Sequence, residues 1–193
     1  QAMHPPTPEG RRALADALVR VATAQVGPER ARTLAAAATA LREHAPEQAL
    51  TWWTESLAAA PDREVARTLL EHAIDPGQRA AALAVLADSS EGDASLGWRV
   101  QWLAEAPDLQ RAVALADDLV VAERWTDLAE VALRYLELSA GSDEAEWAAS
   151  RLASWAELTA DGETAVALAL IAAEHAQGAD WAVVRAAVES GLR

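Results

Sequence analysis

A chain of 193 residues that is 52% hydrophobic and has no long polar tract can bury a core and is not expected to be disordered as a whole. Its formal charge of −14, from 30 acidic against 16 basic residues, offers no basic stripe to displace counterions, which excludes nucleic-acid phosphate as the main partner. The absence of Cys removes disulfides, thiolate zinc sites and cysteine nucleophiles together, and no apolar run reaches roughly 18 residues, so neither a membrane span nor a signal peptide is expected.

Taken in order, the chain begins with Gln1-Ala2-Met3, read as the remnant of a cleaved tag, and residues 1–8 form a lead-in to a single helical-repeat domain over 9–193. Thr7 is a predicted N-cap with Pro8 at the first helical position. The first helix runs to about Gln25 with Leu14, Leu18 and Val21 as its stripe. Gly27-Pro28 starts a second helix carrying Leu34, Ala38 and Leu41, and Pro46 opens a third in which Leu50, Trp53 and Leu57 share a face before Pro61 stops it. Asp62 caps a fourth helix with Val65, Leu69 and Ala73, and Asp75-Pro76-Gly77 restarts the chain into an Ala-rich fifth helix ending near Asp88. Ser89–Asp93 is the most loop-like stretch, although nothing resembles a linker between two domains.

A sixth helix spans about Ala94–Ala106, and Pro107-Asp108 begins a seventh. The seventh and eighth make the clearest pair in the chain, two amphipathic helices within Arg111–Leu138 joined at Ala122–Arg124. Leu115, Ala116, Leu119 and Ala122 stripe one helix, and Trp125, Leu128, Ala129, Ala132 and Leu136 stripe the other, with Asp127, Glu130, Arg134 and Glu137 opposite. Matched stripes predict a helical hairpin. Asp143 and Glu146 are a candidate capping box for a ninth helix, Asp161-Gly162 separates it from a tenth, and Gly178 precedes a final helix, Ala179–Leu192. No strand signal appears. About eleven helices with short connections predict an all-α fold of antiparallel hairpins stacked as an α-solenoid.

Internal repetition agrees with a solenoid. Leu57-Ala-Ala-Ala-Pro61-Asp62 recurs as Leu103-Ala-Glu-Ala-Pro107-Asp108, and Glu-His-Ala recurs at His44, His72 and His175 near predicted helix ends. In Arg30–Asp62, the residues Ala49, Trp53, Ser56, Leu57 and Pro61 fall in the order small, aromatic, small, Leu and terminal Pro of a tetratricopeptide repeat's second helix, and Ala37 matches a small position of the first. Leu115-Ala116 and Trp125 resemble the same family's motif, whereas Leu128, Ala132 and Tyr135 invert its small and large positions. The chain thus resembles tetratricopeptide repeats over about half its length, and the expected fold is a tetratricopeptide-like or HEAT-like solenoid. The resemblance implies a right-handed superhelix with a groove for a peptide or protein.

Chemistry-bearing motifs are sparse. The four His residues never stand at i, i+3 or i+4 from one another, so no helical metal pair forms, and a His at a helix C-terminus suits the macrodipole. No phosphate loop, nucleophile elbow or zinc-protease motif is present, so no cofactor, metal or catalytic residue is assigned. Asp117-Asp118 point about 100° apart on a helix, which suits a solvated face better than an acid–base pair.

The eight Trp residues say more. Trp53, Trp125, Trp155 and Trp181 lie on core stripes, whereas Trp52, Trp98, Trp102 and Trp147 fall off them. Two readings of this second set stand side by side: helices sandwiched between neighbours, or Trp side chains lining a groove as partner anchors. Arg99, between Trp98 and Trp102, can stack or pair there. The expectation is a protein-interaction module that binds a protein or peptide of basic character through Trp52, Trp98, Arg99, Trp102 and Trp147. An enzyme with a Trp- and carboxylate-lined cleft is the alternative, and a self-assembling structural protein a third. An Arg-only basic set is the bias expected of a GC-rich bacterial genome, so a bacterial source is expected, and the expected compartment is the cytoplasm.

Overall fold

A computed structural model describes residues 7–140 and 142–175, and among these every regular element is an α-helix. They are α1 (Pro8–Ala22), α2 (Gly27–Leu41), α3 (Pro46–Ala59), α4 (Arg63–His72), α5 (Pro76–Asp88), α6 (Gly92–Glu105), α7 (Leu109–Val121), α8 (Trp125–Ser139), α9 (Ala145–Leu158) and α10 (Gly162–His175). The eleventh predicted helix, with Trp181, lies outside the described residues. Among those described, no helix is long and apolar enough to cross a membrane.

Local chemistry sets the helix starts. Pro stands in the first turn of α1, α2, α3 and α5, where its missing N–H costs nothing. Thr7 Oγ1 accepts the Gly10 N–H at 3.2 Å, and the Asp62, Asp75 and Asp108 carboxylates cap α4, α5 and α7. Gly27 and Gly92 open α2 and α6 at φ of 56° and 55°, left-handed backbone that glycine adopts without strain. Both copies of the Leu–Pro–Asp hexapeptide do the same work: Leu57 and Leu103 are buried at the end of one helix, and Asp62 and Asp108 cap the next. Asp62→Ala and Asp108→Ala should therefore each lower stability by about 1 kcal/mol, with Asn retaining most of it, as read from denaturant unfolding.

The helices divide into two compact units, α1–α5 and α6–α10, between Glu91 and Gly92. The sequence reads as one domain because the connection is only as long as those inside each unit. It does fall within Ser89–Asp93, the most loop-like stretch.

In the first unit each helix packs on its successor, and α3 also meets α5. The face that α1 buries is marked by Ala15 and Ala22, while Leu14 and Val21, predicted as its stripe, are 53% and 52% exposed. Helix α2 buries its predicted Leu34, Ala38 and Leu41 together with Ala31 and Ala37, so alanines line both sides of the α1–α2 hairpin and it is in α1 that size is a poor guide to the inner face. Helix α3 touches α2, α4 and α5, and it buries Trp52 as well as Trp53. Its Ser56 hydroxyl donates to the Ala31 carbonyl at 2.8 Å, which satisfies the one polar side chain α3 buries.

In the second unit contacts between helices two apart sort the chain into layers, with α6, α8 and α10 in one and α7 and α9 in the other. The core runs continuously from Leu96 to Ala172, and Leu115, Leu119, Leu128 and Leu152 are fully buried. Tyr135, also fully buried, meets Trp155 edge to face at 5.2 Å. The predicted Asp143–Glu146 capping box does not start α9, whose N-cap position is Glu144 with no side-chain cap. The Glu144 carboxylate is turned inward instead, accepting Tyr135 O–H at 3.1 Å and Arg151 Nε–H at 3.0 Å.

Candidate partner-binding site

The five predicted partner residues meet different fates. Trp52 is only 8% exposed and belongs to the first unit's core, not to a groove, because α3 is enclosed on more than one side. Trp98 and Trp102 are half-buried on α6. The Arg111 guanidinium lies over the Trp102 ring at 3.8 Å and donates to the Ala106 carbonyl at 2.6 Å. Arg99 does not stack between the two Trp residues; its Nη1 pairs with Asp118 Oδ2 at 2.5 Å. Trp147, on α9, is 63% exposed.

Asp118 is thus tied to α6, whereas Asp117 accepts the Trp155 indole N–H from α9 at 2.9 Å. Adjacent carboxylates on α7 serve opposite neighbours, as their angular separation requires. His44 and His72 are exposed, and His72 Nδ1 lies 2.8 Å from the Thr68 carbonyl. Among the described residues no group of three or more His, Asp or Glu is placed to hold a metal.

Two clefts open on the α6–α8–α10 layer of the second unit. Thr126, Glu130, Leu133 and Glu137 run along one exposed stripe of α8, and a cleft opens on either side of it. The α6–α8 cleft, 240 Å³, has Val100, Leu103, Ala104 and Leu133 as its apolar lining. Arg134 spans it, pairing with Glu137 at 2.6 Å and donating to the Ala104 carbonyl at 3.3 Å. The α8–α10 cleft, 720 Å³, lies between the N-terminal turns of its two helices. Trp125, Ala129 and Ala167 provide its apolar surface, and Glu123, Asp127, Asp161 and Glu163 its carboxylates.

The carboxylates of the larger cleft are not equivalent. Asp127 is paired with Arg124, which also donates to the Asp93 carbonyl at 2.9 Å. Hydrogen bonding from the Thr164 side chain, and then from its backbone N–H, holds the Asp161 carboxyl below the usual carboxylate range. Among the described residues no ion pair engages Glu123 or Glu163. Glu123 is unusual in its backbone as well, with φ of 56°. Glu123 N–H bonds the Val120 carbonyl at 3.2 Å and Arg124 N–H the Leu119 carbonyl at 3.0 Å, so α7 ends in a Schellman motif with Glu where glycine is the unstrained choice.

Trp125 was expected in the core, and it is half-buried, packed against the core on one side and lining this cleft on the other. As the first residue of α8 it has no preceding turn to cover it. Helical periodicity carries no information about that end effect; the acidic residues around 123–127 and 161–163 were the available signal. A third cleft, of 330 Å³, in the first unit where α2 faces the α3–α4 junction, has its Ser56 and Asp62 already engaged by Ala31 and the α4 cap. Comparison with protein families, characterised proteins and solved structures finds no match to this chain.

Proposed function

We propose that the chain is a protein-interaction module of the helical-repeat kind, tetratricopeptide-like or HEAT-like, and that a protein or peptide lies on the α6–α8–α10 layer of its second unit. The observation that supports this most is the pair of open clefts flanking α8, each combining apolar floor with charged rim. On the α6–α8 side Leu133 lines the cleft and is 50% exposed, an apolar side chain available to a partner. Surfaces of this composition suit recognition by a few apolar anchors inside a polar rim. The overall charge of −14 favours a partner with basic character, because long-range attraction speeds encounter.

Capture from a lysate of the source organism on the immobilised chain, repeated with Leu133→Glu, tests the reading. Leu133→Glu should fold normally by circular dichroism and lose the partner captured by the parent chain. Association of that partner should slow as salt rises from low to physiological strength, with dissociation little changed. Retention of every captured protein by Leu133→Glu would place recognition elsewhere.

A further inference from the structure

We infer that the cleft between α8 and α10 is a receptor for one arginine side chain of the partner, its guanidinium flat on Trp125 and paired with Glu123 and Glu163. This rests on the interaction-module reading and names the chemistry of one of its subsites. Three observations converge on it. First, Trp125 is half-buried in a cleft of 720 Å³, with Ala129 and Ala167 as the remaining apolar lining. Its side chain packs against the core on one side and lines the cleft on the other. Among the described residues no cation stands over it, whereas Arg111 stands over Trp102.

Second, the charge around that face is unbalanced. Four carboxylates line the cleft against one guanidinium, and Arg124 is already committed to Asp127 and to the Asp93 carbonyl. Glu123 and Glu163 are left with no ion-pair partner among the described residues, and hydrogen bonding from Thr164 favours the ionised form of Asp161. A cation entering the cleft relieves this repulsion. The planar guanidinium fits better than an ammonium because it stacks on an indole while its edge hydrogen-bonds carboxylates. The chain already uses that chemistry internally: Arg111 covers Trp102 while its Nη1 donates to a carbonyl.

Third, Glu123 is held in left-handed backbone at the cleft's lip. Glycine is the unstrained residue at the end of α7, so Glu123 holds its carboxylate beside the cleft at the expense of backbone strain.

The test uses the full chain and two capped pentapeptides, Ala-Ala-Arg-Ala-Ala and the same sequence with citrulline, the neutral isostere, in place of Arg. Indole N–H signals are followed by NMR, with Trp125 assigned from its absence in Trp125→Leu. The Arg peptide should move the Trp125 signal saturably in the millimolar range, and the citrulline peptide should bind at least about tenfold more weakly. The double variant Glu123→Gln, Glu163→Gln should weaken the Arg peptide by a similar factor. Glu123→Gly should raise the melting temperature while lowering affinity, a combination that a purely structural role for Glu123 does not produce. Equal shifts from Arg and citrulline, or an unmoved Trp125 signal, would overturn the inference. If Leu133→Glu abolishes partner capture but Trp125→Leu leaves it intact, the layer is the binding surface and this subsite is wrong; if neither substitution affects capture, both readings fail.

Discussion

Trp52→Ala is expected to destabilise the first unit about as much as Trp53→Ala, roughly 3–5 kcal/mol each. On a helical wheel the two neighbours point about 100° apart, and only Trp53 shares a face with Leu50 and Leu57, so periodicity alone predicts unequal losses. The structure removes the difference: Trp53 is 2% exposed and Trp52 8%, because α3 is packed by α2, α4 and α5 at once. Each truncation takes out a bicyclic side chain from a core otherwise built of Ala and Leu, and small residues collapse poorly into so large a void. Trp53→Ala also loses the tilted contact with the His72 ring at 5.7 Å. Denaturant unfolding midpoints should fall clearly for both. A small loss from Trp52→Ala alone would mean that its side is more open than the structure has it.

The second large effect belongs to Trp155. Trp155→Ala should cost about 3–5 kcal/mol, whereas Trp155→Phe should cost much less. The Ala variant loses the buried ring, the edge-to-face contact with Tyr135 at 5.2 Å and the 2.9 Å bond from the indole N–H to Asp117. Phe keeps most of the ring and loses the hydrogen bond, a net term of about 1 kcal/mol, and the exposed Asp117 carboxylate turns to water. Near-equal losses from the two variants would assign the role to the Asp117 bond rather than to packing.

The same cluster carries a pH dependence. Burial first, and then the Glu144 carboxylate that accepts its hydrogen bond, push the Tyr135 phenol from its ordinary value of 10 up to about 12. The neutral phenol is the form the folded state favours, so this contribution is complete below about pH 10 and is lost as pH rises towards 12. Tyr135 is the chain's one tyrosine, so tyrosinate absorbance reports it directly. An onset of ionisation near the ordinary value in the folded protein would show that the ring is not enclosed.

Helix boundaries were legible from the sequence because they depend on neighbours within about four residues. Thr7, Asp62, Asp75 and Asp108 satisfy N–H groups two or three positions on, and prolines stand where no donor is needed. The Ala122–Arg124 connection was readable for the same reason, and the amphipathic period placed Leu115, Ala116 and Leu119 of α7 and Leu128, Ala132 and Leu136 of α8 inside, although Trp125 and Ala129 are only half-buried and Val131 and Tyr135 are enclosed beside them. Where the period is weak, the inner face depends on what packs there. In α1 small alanines turn inward and Leu14 and Val21 outward, and in α3 two neighbouring Trp residues are enclosed together.

By itself, then, the sequence determined an acidic, all-helical chain with Trp as its main large side chain, and it located the helices through local hydrogen bonding and capping. Tertiary structure decided which faces are covered, that α1–α5 and α6–α10 gather into separate units, and that Trp125 opens onto a carboxylate-lined cleft. The cleft joins 123–129 to 161–167, segments brought together by the packing of α8 against α10. That proximity comes from burying apolar surface between helices two apart, a non-directional force set by the whole unit's packing. The hydrogen bonds that end α7 at Glu123 are local, yet a helix end that departs from glycine can be recognised only once its backbone angle is known.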